Sequence, residues 1–267
     1  MSFKVRICAA LIVACASLAP APAQNLIPLD YLPALKGDYF VLNSTATKHR
    51  YHIYVRLPES YEANTNRRYP VVYLLDGDSL FPILATNHLF LTYDDKLPEA
   101  VVIGIAYGSF MPPVNAREPD FGERAAAFQT FLKSELLPRV ERRFRADPTR
   151  RILVGQSRSG GFVLYSAYAD PDLFWGRIAS NPSFPDHRGL LFGNPKEPAR
   201  SDLHLAVVTG TKDLPPVRAG FLEWLRAVEP KTKPWAFKAI EIEGGTHAAD
   251  ISTAYRQSMR WMFAPKP

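Results

Sequence analysis

The chain has 267 residues, 47% apolar and 22% charged, with a formal net charge of +6. This composition excludes a disordered or fibrous protein, and the length suits one α/β domain whose core needs no disulfide. The basic residues are scattered, the Arg139–Arg145 group carries Glu141 and reads as a solvated helix face, and no run alternates basic with aromatic residues, so nucleic acid is not an expected partner.

Lys4 and Arg6 precede an apolar run, Ile7 to Leu18, that is too short to span a bilayer. Ala21-Pro22-Ala23 offers small residues where a signal peptidase reads. Residues 1–23 are therefore expected to be a signal peptide, and the protein an exported one, periplasmic or secreted, with no integral membrane span. A competing reading takes Ile12-Val13-Ala14-Cys15 as a lipoprotein box and Cys15 as a lipid anchor; plain cleavage is preferred. Both cysteines, Cys8 and Cys15, lie in this leader. Cleavage would leave a chain of net charge +4, with no disulfide, no thiolate nucleophile and no Cys-based metal site.

Residues 24–37 are Pro-rich, lack a period and read as a tether to a folded domain over 38–267. Tyr39 to Leu42 and Tyr51 to Val55 alternate aromatic and β-branched residues with others, the period of two strands in an antiparallel hairpin. Tyr69 to Leu75 is a continuous apolar run that halts at Asp76-Gly77-Asp78, and Ala100 to Ala106 is another; strands buried on both faces read this way. His88 falls in a helix after the first of these runs.

Residues 121–145 carry apolar side chains at helical spacing (Phe121, Ala125, Phe128, Leu132, Leu136, Val140), with a kink or boundary at Pro138. Arg151 to Val154 predicts a strand running into Gly155-Gln156-Ser157-Arg158-Ser159-Gly160-Gly161, and Phe162 to Tyr168 the helix behind it. Gly176 to Ser180, Leu203 to Thr209 and Ala236 to Ile242 predict three more strands, Val217 to Val228 and Ala249 to Phe263 two more helices. Buried strands alternating with helices predict an α/β sheet, mostly parallel after an antiparallel start, covered on both faces. The Pro-, Gly- and Arg-rich stretch 181–202 is the candidate lid or insertion.

A serine needs a base and an exposed position to act as a nucleophile. A sharp strand-to-helix turn supplies the exposure, and it tolerates only small neighbours. Gly155-Gln156-Ser157-Arg158-Ser159 has that form directly after a buried strand, although Ser159 stands where Gly-x-Ser-x-Gly has its second glycine. Ser159 is a rival nucleophile in a shifted frame, and a plain helix cap is the bland alternative for Ser157.

Of six histidines, His49, His52, His88, His187 and His204 sit where structural roles are expected. His247 follows a strand and a Gly-Gly turn late in the chain, as the order serine, acid, histidine requires. Asp213, at the end of a strand between the two, is the candidate acid; Glu223 and Asp250 are rivals. The two N–H donors needed for an oxyanion would come from Arg158 and from the backbone of Gly77 or Asp78.

With these residues in place the chain resembles the Putative esterase family of α/β-hydrolases, which includes enterochelin-type siderophore esterases, S-formylglutathione hydrolases, feruloyl esterase domains and mycolyltransferases. The resemblance runs from about Tyr51 to Phe263. It rests on Tyr69 to Asp78, Val101 to Ile105, Arg117 to Phe121, Glu135 to Pro138 with Arg145 to Pro148, the turn at Ser157, Asp170 to Phe174 and Ser180 to Ser183. It implies an α/β-hydrolase fold and a Ser-acid-His triad with no cofactor. The family pattern is Gly-His-Ser-x-Gly-Gly; Gln156, Arg158 and Ser159 are the departures. Arg158 would sit beside the reacting ester, touching an acidic substrate or pairing with an acidic neighbour such as Asp78. Phe81, Tyr107 and Trp175 are candidates to line the same cleft.

The expected function is therefore a serine carboxylic ester hydrolase acting through an acyl-enzyme on a small-molecule ester, with siderophore-type esters as the preferred class. Acyl transfer to another alcohol on the same triad, or a non-catalytic binding module on the hydrolase fold, are the alternatives. No His-x-x-x-His or Glu-His cluster offers three metal ligands, so metal-dependent hydrolysis is not expected.

Overall fold

The computed structural model describes residues 37–108 and 117–265. The leader, the Cys15 anchor and all but the last residue of the tether lie outside the described residues. Alternation in the first segment gives β1 (Gly37–Asn43) and β2 (Arg50–Arg56), paired antiparallel with Phe40 opposite Ile53. β2 also runs antiparallel to β4 (Val101–Ala106). Every other pairing is parallel: β4 with β3 (Tyr69–Leu74), then β3 with β5 (Ala146–Gln156), β6 (Gly176–Ser180), β7 (His204–Gly210) and β8 (Ala236–Ile242) in succession. The eight strands stand in the order β1-β2-β4-β3-β5-β6-β7-β8. This is the mostly parallel sheet with an antiparallel start that the sequence predicts.

The continuous apolar runs are explained by helices on both faces. Val72, Leu74, Val102, Ile152, Val154 and Ile178 point to one side, against α1 (Gly77–Asp94) and α8 (Ile251–Met262). Val71, Tyr73, Ile103, Leu153, Ala179 and Val207 point to the other, where α3 (Ala125–Phe131), α4 (Leu137–Arg143), α5 (Arg158–Ala169) and α7 (Pro215–Val228) lie. Right-handed crossovers put a helix on opposite faces when the chain turns left or right along the sheet. The chain turns at β3, which has β4 on one side and β5 on the other, and ligands of such sheets bind beyond the strands' carboxyl ends at the turn.

Two local readings change. The single helix over 121–145 is instead α2 (Arg117–Phe121), α3, a π-helical turn Leu132–Leu136 and α4. Pro138 has no N–H to give the preceding turn, and the wide turn just before it absorbs the lost bond. The arginines of α4 are not simply solvated: Arg139 and Arg143 lie 5.5 and 5.0 Å from the Phe40 ring centre, and Arg143 pairs with Asp38. They fasten the outermost strand.

Segment 181–202 is not a free flap at its start. Asn181, Pro182, Phe184, His187 and Leu191 are buried, and Phe184 packs on Trp224 of α7 with ring centres 5.8 Å apart. Its helical parts are a 3-10 turn, Pro185–His187, and α6 (Arg188–Leu191).

Candidate active site

Five loops meet beyond the carboxyl ends of β3, β5, β6, β7 and β8. The last residue of β5 is Gln156; Ser157 follows with φ 59° and ψ −119°, and α5 begins at Arg158. A non-glycine residue in that region is strained and is held there only by its surroundings. Here Ser157 N donates to Ser180 O at 2.9 Å, and Ser157 O accepts from Gly161 N at 3.0 Å and Ser183 N at 2.9 Å. The small residues are required by contact. A Cβ on Gly155 would lie 2.5 Å from Ser159 O, and one on Gly161 2.2 Å from Ser183 O. Ser157 is half-buried with its side chain toward the loop after β8.

His247 stands in that loop. Its Nδ1 is 2.7 Å from Asp213 Oδ1 and its Nε2 is 2.9 Å from Ser157 Oγ. The carboxylate only accepts, so Nδ1 carries the proton and donates it, which leaves Nε2 with a lone pair facing the Ser157 hydroxyl. Ser157 Oγ–H then donates to Nε2. The side chain of Asp213 is fully buried, and its Oδ1 also accepts from Leu214 N at 2.6 Å. Oδ2 is buried with no hydrogen-bond partner among the described residues.

The histidine loop is held by its backbone. Asn181, at φ 42° after β6, donates from Nδ2 to His247 O at 2.7 Å and to Thr246 O at 3.2 Å, while its Oδ1 accepts from Gly210 N at 2.9 Å. Gln156 Nε2 donates to the same His247 carbonyl. One amide side chain thus joins the ends of β6, β7 and β8, and a second joins β5. Asn181 escaped sequence reasoning because an Asn-Pro after a strand reads as a turn; only its positive φ and burial mark it.

Around Gly77 and Asp78 the backbone is fixed on several sides. Asp76 (φ 52°) precedes α1 and takes two bonds from Arg117, Nε–Oδ1 at 2.6 Å and Nη2–Oδ2 at 3.0 Å. Burial alone would lower the Arg117 pKa, but the bond to Asp76 and its charge outweigh it and the guanidinium is held above its usual range. Gly77 lies flush on β4, where a Cβ would be 2.7 Å from Gly104 C and Ile105 N. Asp78 accepts from Tyr107 N at 2.7 Å and Gly108 N at 2.9 Å. The first N–H groups of a helix have no partner four residues back; Ser79 N and Leu80 N of α1 bond Asp76 O and Gly161 N of α5 bonds Ser157 O, and Gly77, Asp78 and Arg158 stand ahead of them at the two helix starts.

Asp78 is therefore not the partner of Arg158. Arg158 makes a two-pronged pair with Asp186, Nε–Oδ2 at 2.8 Å and Nη2–Oδ1 at 3.2 Å, and reaches Glu118 at 3.3 Å. The Asp186 bond raises the Arg158 pKa, and Arg158 in turn lowers that of Asp186.

The rivals are placed elsewhere. Ser159 is fully buried and its hydroxyl lies against Asp76, not His247. Glu223 pairs with Arg188 on the surface of α7. Asp250 backs Gly245, where a Cβ would be 2.4 Å from its Oδ2. His52 bonds Tyr39, His49 bonds Arg124, His88 bonds Tyr255, His187 bonds Phe121 O, and the His204 ring packs tilted against Trp175, with ring centres 4.6 Å apart. Trp175 precedes β6 at the opposite end of the sheet, so it does not share a cleft with Arg158. Phe81 packs on Tyr54, and Tyr107 on Tyr51 and Phe121.

A profile of the Putative esterase family matches residues 44–248, most of the chain and the whole span between β2 and His247. The chain belongs to this family. Ferri-bacillibactin esterase BesA of Bacillus subtilis (strain 168) is 30% identical over 169 residues, 54% of this chain and 57% of the relative. Apo-salmochelin esterase of Escherichia coli O6:H1 (strain CFT073) is 26% identical over 157 residues, 51% of this chain and 48% of the relative. The matches thus span about half the length of these curated relatives. Among solved structures, the BES protein from Bacillus cereus superposes with a TM-score of 0.73 at 20% identity, covering 84% of this chain and 94% of that one. The siderophore hydrolase EstB from Aspergillus nidulans gives 0.73 at 21% identity, covering 86% and 96%. These likenesses establish the α/β-hydrolase fold for this member of the family. Among the described residues, no helix is long and apolar enough to cross a membrane.

Proposed function

We propose that the protein is a serine carboxylic ester hydrolase in which Ser157 is the nucleophile, His247 its base and Asp213 the acid. The observation that carries this reading is the line Asp213 Oδ1, His247, Ser157 Oγ at 2.7 and 2.9 Å. Ser157 Oγ attacks the ester carbonyl carbon as its proton passes to His247 Nε2. The carbonyl oxygen becomes an oxyanion facing Arg158 N–H and the N–H of Gly77 or Asp78, where preorganised donors are worth most. The intermediate collapses, and His247 returns the proton to the leaving alcohol. Water, activated by the same histidine, then cleaves the acyl-Ser157 bond and frees the acid. No step needs a cofactor.

The substrate class in this proposal is a siderophore-type ester. Two curated relatives are named for ferri-bacillibactin and apo-salmochelin, and this supports the class without naming the molecule. The signal peptide read from residues 1–23 belongs to the same proposal and fits an exported enzyme. A non-catalytic module has no use for a strained serine in contact with a histidine–carboxylate pair, and that disfavours the binding-module reading.

The test is hydrolysis of p-nitrophenyl acetate and butyrate beside ferri-bacillibactin and apo-salmochelin, with products followed by chromatography. The proposal expects an initial burst of p-nitrophenol and turnover of at least one siderophore ester. Turnover of simple esters alone would sink the substrate class, and no turnover of any ester would sink the activity. Added alcohols test the transferase alternative: new esters, formed in preference to free acid, would favour it.

A further inference from the structure

The chain departs from the family's glycine at position 159, and the serine there is used. Ser159 is fully buried, and its Oγ has three neighbours: it accepts from Gln156 N at 2.8 Å and lies 2.7 Å from Asp76 Oδ2 and 2.8 Å from Gln156 O. A hydroxyl has one proton to give. A carboxylate is the stronger acceptor, so the proton is directed at Asp76. The bond spans 83 residues of sequence, from the first turn of α5 to the residue before α1.

Both ends of that bond carry the backbone N–H groups assigned above to the oxyanion. Asp76 sits at φ 52°, a conformation that an ordinary residue keeps only when its surroundings enforce it. Arg117 holds its carboxylate from one direction and Ser159 from another. We propose that Ser159 is a positioning residue: its hydroxyl locks the Asp76 turn to the nucleophile turn and so sets the spacing between the Arg158 N–H and the Gly77 or Asp78 N–H. This inference rests on the esterase reading. Ser159 touches neither the substrate nor His247. It acts through the geometry of two donors, and an oxyanion site is sensitive to that geometry in the transition state more than in the bound ground state.

Displacing such donors by about 1 Å costs on the order of 100-fold in rate. The experiment compares the wild type with Ser159→Ala, Ser159→Gly, Asp76→Asn and the double variant Ser159→Ala/Asp76→Asn, each checked by thermal melting. The readouts are kcat and KM for p-nitrophenyl butyrate, the Ki of a trifluoromethyl ketone that mimics the tetrahedral adduct, and labelling by a fluorophosphonate. The expected result is that Ser157 remains labelled in every variant. Ser159→Ala and Ser159→Gly lower kcat about 10- to 100-fold with KM within about twofold, the ketone Ki rises by a similar factor, and the double variant is no worse than the poorer single one. An unchanged kcat, a loss confined to KM or to melting temperature, or a double variant that multiplies the single losses would overturn the proposal. A wild type that neither hydrolyses the ester nor takes the label would overturn the esterase reading itself and this proposal with it. An active wild type with unaffected variants would sink the role of Ser159 alone.

Discussion

Replacing Asp213 by Asn is the sharpest perturbation of the acid, because the outcome depends on which way the new amide turns. Asp213 Oδ1 accepts two N–H groups at once, His247 Nδ1–H at 2.7 Å and Leu214 N–H at 2.6 Å, while Oδ2 is buried with no partner among the described residues. An amide nitrogen in the Oδ1 position would face the Leu214 N–H donor to donor. The amide oxygen is therefore expected to stay there, and His247 to keep its proton on Nδ1. In the proposed mechanism, what is lost is the negative charge opposite the imidazolium formed during attack. A hydrogen bond to a charged group is worth roughly 1.5–3 kcal/mol, which is about 10- to 150-fold in rate at 1.36 kcal/mol per decade. Asp213→Ala removes the acceptor as well, and a loss of order 10⁴-fold is expected for it. The assay is kcat for p-nitrophenyl butyrate in both variants beside Ser157→Ala. An Asp213→Asn loss as deep as that of Asp213→Ala would mean the histidine has changed tautomer despite Leu214 N–H. An unchanged rate would remove Asp213 from the mechanism.

Gly161→Ala places a Cβ 2.2 Å from Ser183 O, a backbone atom, and should lower stability by about 2 kcal/mol or more in thermal melting, together with activity; an unchanged melting temperature would contradict the packing described. Asn181→Ala leaves the buried Gly210 N–H unpaired, at roughly 1–3 kcal/mol, adds about 1 kcal/mol for an alanine at positive φ, and frees the His247 loop, so melting temperature and kcat should fall together. A fall in stability with full kcat would show that the loop does not need Asn181. Buried His88 donates from Nε2 to Pro98 O and accepts from Tyr255 OH at Nδ1, so it is neutral; burial first, and then the charge of Arg56, push its pKa down to about 4. The unfolded chain takes up that proton near 6.5, so the stability His88 confers is complete above that pH and is lost as pH falls toward 4, by about 3 kcal/mol as an upper bound. His88→Gln should flatten urea-denaturation midpoints between pH 7 and 4, and an equally steep fall in the variant would assign the acid sensitivity elsewhere.

Strands flanked on both sides were legible because burial on both faces leaves an uninterrupted apolar run, as at Val71–Leu75 and Val101–Ala106. The antiparallel pair at one edge, β1 and β2, was legible for the opposite reason, since its sequence alternates. Ser157 and His247 could be read because a strained turn demands small neighbours and because chain order limits the candidates. Asp213 could be preferred because it ends a strand between Ser157 and His247, whereas Glu223 falls within a helix and Asp250 follows the histidine; only the fold shows that its carboxylate reaches the imidazole. The π-helical turn before Pro138 was hidden because its apolar spacing differs little from that of an α-helix. The partner of Arg158 was hidden as well: Asp186 lies in a segment with no periodicity, and a pairing across 28 residues has no local signature. Ser159 looked like a defect in a pattern because its use, the bond to Asp76, joins residues 83 apart.

The most direct test of the account is labelling of the purified protein with a fluorophosphonate followed by peptide mapping, with Ser157→Ala as the control. The account predicts a single tag on Ser157 and none on the variant. A tag on Ser159, or a folded protein that takes no tag at all, would contradict it.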